Sequence, residues 1–240
     1  MPKIAVIVPA YNEEISLPAV VRDIQLMAAV EKLEVVVVVV NDCSTDATAQ
    51  VMNSLDCIQL HLPVNLGIGG AVQTGFIFAL EQGFDYAVQM DGDGQHPASA
   101  LPLLLKEQQD KGWDVVIGSR FIKKEGFQSS AMRRVGINYF RKLNKLLLGI
   151  DLSDSTSGLR LLNRKALALA AVYYPDEYPE PESIVYFARN KLWIGEVAVS
   201  MEQRQGGVSS IGGMDSIYYM IKVSLAILFT FIRTQNKSKT

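Results

Sequence analysis

Two runs of Val and Ile, Ile4 to Val8 and Leu33 to Val40, show no polar alternation and are bounded by turn-forming residues. A strand with one wet face alternates apolar and polar residues. One that is apolar throughout must be covered on both faces, as in the centre of a parallel α/β sheet. Between the runs, Ser16 to Val30 carries apolar residues at helical spacing, so the opening reads strand, helix, strand. The pattern recurs as a helix over Ser44 to Leu55, a strand over Cys57 to Leu62, a helix over Gly69 to Gln82 and a strand over Tyr86 to Met90. A helix near Ala98 to Lys111, a strand over Asp114 to Gly118 and a basic amphipathic helix over Ser130 to Leu148 follow.

The chain of 240 residues has room for one α/β domain and a short appendage. Its net charge of −2 argues against a nucleic-acid binder, which needs an excess of Lys and Arg across its face. Charge is unevenly spread, however. Arg120, Lys123, Lys124, Arg133, Arg134, Arg141, Lys142 and Lys145 are opposed over their own stretch only by Glu125, and such a segment seeks an anionic partner. Cys43 and Cys57 have neither CxxC spacing nor a histidine cluster, which suits two reduced thiols. The apolar run before Pro9 is too short for a signal-peptide core, so the expectation is a catalytic part facing the cytoplasm. From Ile217 to Ile232 the chain is apolar except for Lys222, Ser224 and Thr230, and Arg233, Lys237 and Lys239 follow. A bilayer span needs about 20 apolar residues, so the segment reads as a helix in the membrane interface with its basic tail on anionic headgroups. A buried core or dimer helix is the alternative, and a homo-oligomer stays open.

The residues suited to chemistry cluster where predicted strands end. Tyr86-Ala-Val-Gln-Met runs into Asp91-Gly-Asp93-Gly-Gln95-His96-Pro97. In an open α/β sheet the carboxyl ends of strands are where ligands bind. Two carboxylates there repel unless a cation lies between them, and a hard divalent ion shared with phosphate oxygens fits. After the first strand, Pro9-Ala10-Tyr11-Asn12-Glu13-Glu14 offers Tyr11 to stack on a nucleobase and Glu13 to hold a base or ribose. The same acids could instead cap the next helix. After the second strand, one of Asp42 and Asp46 caps a helix and the other is left for ribose or base. Asn65, Gly67 and Gly70 lead into a helix whose N–H groups could approach a diphosphate.

Taken together, IVPAYNEE at 7–14, VVNDCSTDAT at 39–48, NLGIGGAVQTG at 65–75, QMDGDGQHP at 89–97, IGSRF at 117–121 and SGLRLLNRKAL at 157–167 resemble the family-2 glycosyltransferases. Within them the chain is similar to the polyprenyl-phosphate sugar transferases of the dolichyl-phosphate mannose synthase kind. The resemblance implies a glycosyltransferase-A fold, Rossmann-like with a mostly parallel sheet, over residues 1–212, with 213–240 as a membrane-associating helix. It also implies a nucleotide-sugar donor and Mg²⁺ or Mn²⁺. By that resemblance Asp91 and Asp93 form the metal motif, Gln95 is a further ligand, and Asp93 is catalytic. Pro9, Tyr11, Glu13, Asp42 and Asp91 look like the nucleotide-binding set, and Arg204 in RQGGVSS resembles the arginine that closes over the diphosphate.

The acceptor decides the mechanism. A sugar hydroxyl must lose a proton as it attacks, and Glu180 or Glu182 in Tyr178-Pro-Glu-Pro-Glu-Ser183 could take it, bind the donor sugar, or merely solvate a Pro-rich loop. A phosphate monoester has a second pKa of about 6 and arrives nucleophilic, needing cations more than a base. Arg120, Arg133, Arg134 and Arg141 are the candidate cations, the last three on the basic helix, which could also be an ordinary solvated one. The expectation is inverting transfer from a UDP-hexose to a polyprenyl phosphate at the cytoplasmic membrane face. Its rivals are transfer to a glycan hydroxyl, a nucleotide- or carbohydrate-binding module without turnover, and a nucleotidyltransferase, which would release pyrophosphate. A Rossmann dehydrogenase is set aside because PAYNEE lacks the GxGxxG fingerprint.

Overall fold

The structure is a computed structural model that describes residues 1–123, 131–202 and 215–236. Among these, the first half of the chain forms β1 (Lys3–Ala10), α1 (Leu17–Glu31), β2 (Glu34–Asn41), α2 (Thr48–Met52), β3 (Ile58–His61), α3 (Gly67–Glu81) and β4 (Tyr86–Gln89). The second half forms α4 (Ala100–Lys111), β5 (Val115–Ser119), α5 (Ala131–Leu148), β6 (Arg160–Asn163), α6 (Arg164–Val172), α7 (Pro179–Arg189), β7 (Ile194–Ala198) and α8 (Asp215–Asn236). The strands make one seven-stranded sheet of order β3-β2-β1-β4-β6-β5-β7. β6 runs antiparallel to both its neighbours, and the other described pairings are parallel.

The all-apolar strands are buried on both faces, as their composition requires. Ile4, Val6 and Val8 of β1 join Val37 and Val39 of β2 in a core layer with Leu17, Ile24, Leu101 and Leu104 of α1 and α4. The alternate residues Ala5, Ile7, Val38 and Val40 face Val72, Phe76, Leu167 and Phe187 of α3, α6 and α7. A smaller third cluster joins Phe140 of α5, Val185 of α7 and Val223 and Ile227 of α8.

Several expectations are corrected. The helix expected from Ser44 starts only at Thr48, because side chains hold residues 44–47 in a loop. Asn41 Oδ1 accepts from Ser44 N at 3.0 Å, and Asn12 Oδ1 accepts from Thr45 N at 2.8 Å. The stretch read as a Pro-rich loop around Glu180 is instead the first turn of α7. Proline is tolerated there because first-turn N–H groups have no helical partner. Strands β6 and β7 and helix α6 were not foreseen. In α5 the apolar residues do not form one lipid-ready face: Ile137 and Phe140 are buried in the protein, whereas Val135 and Leu146 are exposed.

Helix α3 lies against β1 at Gly75, where a Cβ would fall 2.2 Å from Ile7 Cγ2. Gly75→Ala gains about 1 kcal/mol of helix propensity, but overpacking a β-branched core residue costs ~1–3 kcal/mol. At such close approach the clash wins, and thermal unfolding should show a lower Tm, by about 4 °C or more. A raised Tm would contradict this packing.

Candidate active site

The strand order reverses between β1 and β4: the chain leaves β1 for β2 on one side and returns to β4 on the other. The crevice beyond the carboxyl ends of these strands is the switch point at which open α/β sheets bind ligands. Its two lips are close, since a Cβ on Gly92 would lie 3.1 Å from Pro9 O and 3.6 Å from Glu13 Cγ. Gly94 has φ +77° and turns the chain so that Asp93 Oδ1 accepts from Gln95 N at 2.9 Å. Asp93 is buried, whereas the Asp91 side chain keeps 33% of its surface exposed. His96, also buried, accepts the Asp91 N–H at Nδ1 (3.0 Å), leaving Nε2 to carry the proton and face Asp91 Oδ2 at 3.6 Å. One histidine thus binds the backbone of Asp91 and stands beside its carboxylate.

Strand β6 supplies the floor. Because it is antiparallel, its amino end reaches the sheet edge where its neighbours have their carboxyl ends, which brings the SGLR segment to the site. A Cβ on Gly158 would lie 2.9 Å from Asp91 Oδ1, so only glycine lets that backbone lie against the carboxylate. Arg160 pairs in register with Gln89 and is fully buried. Gln89 donates to Glu180 Oε1 (3.4 Å) and accepts from Tyr174 OH (2.9 Å). Burial pushes the Glu180 carboxyl above the usual carboxylate range; the Arg160 charge draws it back and the Asp91 charge pushes it up further. At the end of β5, Arg120 forks onto Asp154 with Nε–Oδ2 at 2.7 Å and Nη2–Oδ1 at 2.8 Å. Burial opposes the Arg120 charge, but this fork overcomes it, and Asp91 and Glu180 add to the pull. Asp154 is in turn fixed by Glu196 of β7, which accepts its N–H at 2.7 Å.

The β1 and β2 loops are stitched to each other. Besides the Asn12 bonds, Glu13 N donates to Thr48 Oγ1 (2.9 Å) and Glu14 Oε2 accepts from Ala47 N (2.8 Å). Tyr11 stands out with 48% of its surface exposed, beside buried Pro9. Glu13 does not sit in the first turn of α1; its Oε2 accepts from Ser16 Oγ at 2.6 Å. Asp46 is the capping acid, accepting from Thr48 N at 2.9 Å; burial pushes its carboxyl up, but the Thr48 hydroxyl and amide, with the Glu14 amide, bring it below the usual carboxylate range. Asp42 is buried and accepts from Leu66 N at 2.7 Å; burial raises its carboxyl while the Leu66 and Gly67 amides restrain it. Asn65 Oδ1 takes Gly67 N (3.1 Å) and Asp176 O takes Gly69 N (2.9 Å). The amides of residues 66, 67 and 69 are therefore engaged within the protein. The glycines serve close packing instead: a Cβ on Gly69 would lie 1.9 Å from Pro175 O, and one on Gly70 would lie 2.5 Å from Leu66 Cβ.

A family model described as glycosyl transferase family 2 matches residues 5–169, more than half of the chain. The chain belongs to glycosyl transferase family 2. It is therefore a glycosyltransferase. It is 31% identical over 220 residues to the undecaprenyl-phosphate mannosyltransferase of Micrococcus luteus, covering 88% of each chain. With the polyprenol monophosphomannose synthase of Mycolicibacterium smegmatis it shares 29% over 229 residues, 91% of this chain and 84% of that one. Among solved structures it resembles glucosyl-3-phosphoglycerate synthase of Mycobacterium tuberculosis, in complex with Mn²⁺, uridine diphosphate and phosphoglyceric acid. The TM-score is 0.69 at 19% identity, over 97% of this chain and 78% of that one. That likeness extends the glycosyltransferase-A-like fold to nearly the whole chain.

Within this glycosyltransferase the foreseen residues separate. Asp91, Asp93, Arg120 and Glu180 gather at the carboxyl end of β4. Gln95 is partly buried on the same loop, and its carbonyl accepts from Glu202 N at 3.0 Å. Glu182 faces elsewhere: its Oε1 accepts from Tyr173 OH and Thr230 Oγ1, both at 2.6 Å, joining α7 to α8. Arg141 is paired with Asp151, which Lys145 also engages at 2.8 Å, and Arg134 is exposed. Arg133 belongs to α5, but its side chain, like the whole of Arg204, lies outside the described residues. His96, Gly158 and Arg160 were not assigned roles from sequence, although all three stand in the blocks that carried the family resemblance.

Glu182→Gln should lower Tm by about 2–4 °C, the effect of weakening two hydrogen bonds to a charged group. The rate of sugar transfer should stay within about threefold, since the residue touches no reacting atom. A hundredfold loss of rate would return Glu182 to the catalytic set.

Proposed function

We propose that the chain transfers a hexose, with inversion, from a UDP-sugar to the phosphate oxygen of a polyprenyl phosphate and releases the nucleoside diphosphate. One observation carries the reading: Asp91 and Asp93 stand at the switch point beside the end of α7 that bears Glu180, and along α7 runs a helix with an exposed apolar stripe. Tyr219 of α8 meets Tyr178 with ring centroids 4.6 Å apart, and Phe231 meets Arg189 at 4.8 Å. Helix α8 thus packs against α7, and Tyr219 meets the residue just before the α7 turn that bears Glu180. Tyr218, Ile221, Leu225, Phe229 and Ile232 of α8 are exposed at helical spacing, as are Val135, Tyr139 and Leu146 of α5 beside them. No described helix is long and apolar enough to cross a membrane. A stripe of this kind suits a helix lying in the interface, with residues 213–240 as the interfacial unit and the exposed Arg134 and Lys142 of α5 toward anionic headgroups. The free thiols of Cys43 and Cys57 suit the cytoplasmic face.

Asp91, Asp93 and the Gln95 amide offer hard oxygen donors, and Mg²⁺ and Mn²⁺ accept one or two carboxylates when diphosphate oxygens and water complete the shell. Among the described residues no group of three or more His, Cys, Asp or Glu could hold a metal by itself. When bound, the ion neutralises charge developing on the departing diphosphate. The protein's own part is to orient Asp91 through His96 and to stack the base on Tyr11 between Pro9 and the Asp42 loop. Arg120, fixed by Asp154, sets positive potential beside Asp91 and Glu180. A phosphate acceptor is already anionic near neutral pH, its second pKa being about 6, so no base is required. Glu180 then holds the donor sugar.

One observation favours a second reading, in which Glu180 is the base for a glycan hydroxyl. Its carboxyl is raised and stands within the field of Asp91. Labelled nucleotide sugars supplied with undecaprenyl phosphate in vesicles separate the two. The first reading predicts an organic-extractable labelled product and a Glu180→Gln variant that keeps transfer within about tenfold. A loss in that variant at the upper end of general-base contributions, ~10³-fold or more with nucleotide still bound, assigns Glu180 as base. No lipid product from any common donor would overturn the acceptor assignment.

A further inference from the structure

Arg160 is a fully buried cation in the sheet, a placement that costs several kcal/mol unless its donors and charge are answered. Its bonds show what it joins. Nε donates to Ser157 O (2.8 Å) and Nη2 to Ser155 O (3.0 Å), while Nη1 donates to Ser183 Oγ (2.8 Å). The first two hold the turn that runs into Gly158, the residue lying against the Asp91 carboxylate. The third holds the opening of α7, where Ser183 Oγ donates to Glu180 O at 3.2 Å. On the neighbouring strand, Gln89 sits opposite Arg160 and donates to the Glu180 carboxylate. One guanidinium therefore spans two segments more than twenty residues apart in sequence, each ending on a carboxylate of the site.

We propose that Arg160 is the positioning residue that sets Asp91 and Glu180 relative to each other, by clamping the 155–158 turn to the first turn of α7. It touches neither carboxylate through a hydrogen bond of its own. Its planar fork meets three acceptors in fixed directions, which a lysine ammonium on a flexible stem does not reproduce even though it keeps the charge. The inference rests on the reading of Asp91 as the residue that meets the metal–diphosphate, and it adds what holds that residue in register with the α7 end of the site.

The test uses the full chain with Arg160→Lys and Ser183→Ala, read by thermal unfolding, by calorimetric titration of UDP with Mn²⁺, and by kcat and KM for the nucleotide sugar. Arg160→Lys should lower kcat by at least ~30-fold and weaken Mn²⁺–UDP binding about tenfold, because both carboxylates lose their setting. Ser183→Ala cuts the link from Arg160 to α7, together with the Ser183 bond to Glu180 O, and leaves the 155–158 turn held. It should lower kcat by about fivefold while Mn²⁺–UDP affinity stays within about twofold. A general loss of stability would not produce that split. A folded Arg160→Lys protein with kcat and UDP affinity within about threefold of wild type would overturn the inference alone. Should Arg160→Lys fail to fold, Ser183→Ala decides, and an unchanged kcat overturns it. If the wild-type chain binds UDP no better with Mn²⁺ than without, the metal reading falls and this inference falls with it.

Discussion

Asp91 is a carboxylate delivered to the end of a sheet by a strand that is buried on both faces, and its surroundings orient its charge rather than cancel it. His96 holds the backbone and faces the carboxylate, Gly158 offers a surface with no side chain, and Arg120 lies within electrostatic reach while its fork is committed to Asp154. Each of these depends on a different element, so the site exists only when β1, β4, β5 and β6 are in register. The antiparallel β6 is what allows this. A parallel strand at that position would present its amino end, and with it the SGLR turn, to the opposite edge of the sheet.

The same geometry links the site to the outer surface of the molecule. Helix α7 begins over the end of β4 with Glu180 and carries Glu182 on its other side, where Tyr173 and Thr230 grip it. Arg233 stacks over the Tyr173 ring at 4.4 Å, and Lys222 pairs with Glu177, so α8 is tied to the α6–α7 connection at two points. Helix α8, with its exposed apolar stripe, therefore packs on the same helix that carries Glu180 into the site.

How much of this was legible in the sequence varied with length and periodicity. Strands β1 and β2 could be read because long unbroken runs of Val and Ile admit few other structures, and the Asp91–Asp93 motif could be read because it follows the mostly apolar stretch Tyr86 to Met90. Strand β6 could not: four residues, Arg160–Asn163, show no period, and a buried arginine looks like a surface residue. Glu180 and Glu182 seemed equivalent candidates as neighbours in a loop. On a helix, two residues apart means about 200° of rotation, so one meets the sheet edge and the other meets α8. The glycines that open α3 looked suited to a diphosphate, yet an acceptor about 100 residues away in sequence, Asp176 O, takes one of the amides, which no local pattern reveals.

The most direct test of the account is calorimetric titration of UDP into the wild-type chain and the Asp91→Asn/Asp93→Asn double variant, with and without Mn²⁺. The account predicts that Mn²⁺ tightens UDP binding to the wild type at least ~30-fold and leaves the double variant unmoved, while both proteins unfold at similar temperatures. Equal enhancement by Mn²⁺ in the two proteins would contradict it, because the cation would then be held by something other than the two acids at the end of β4.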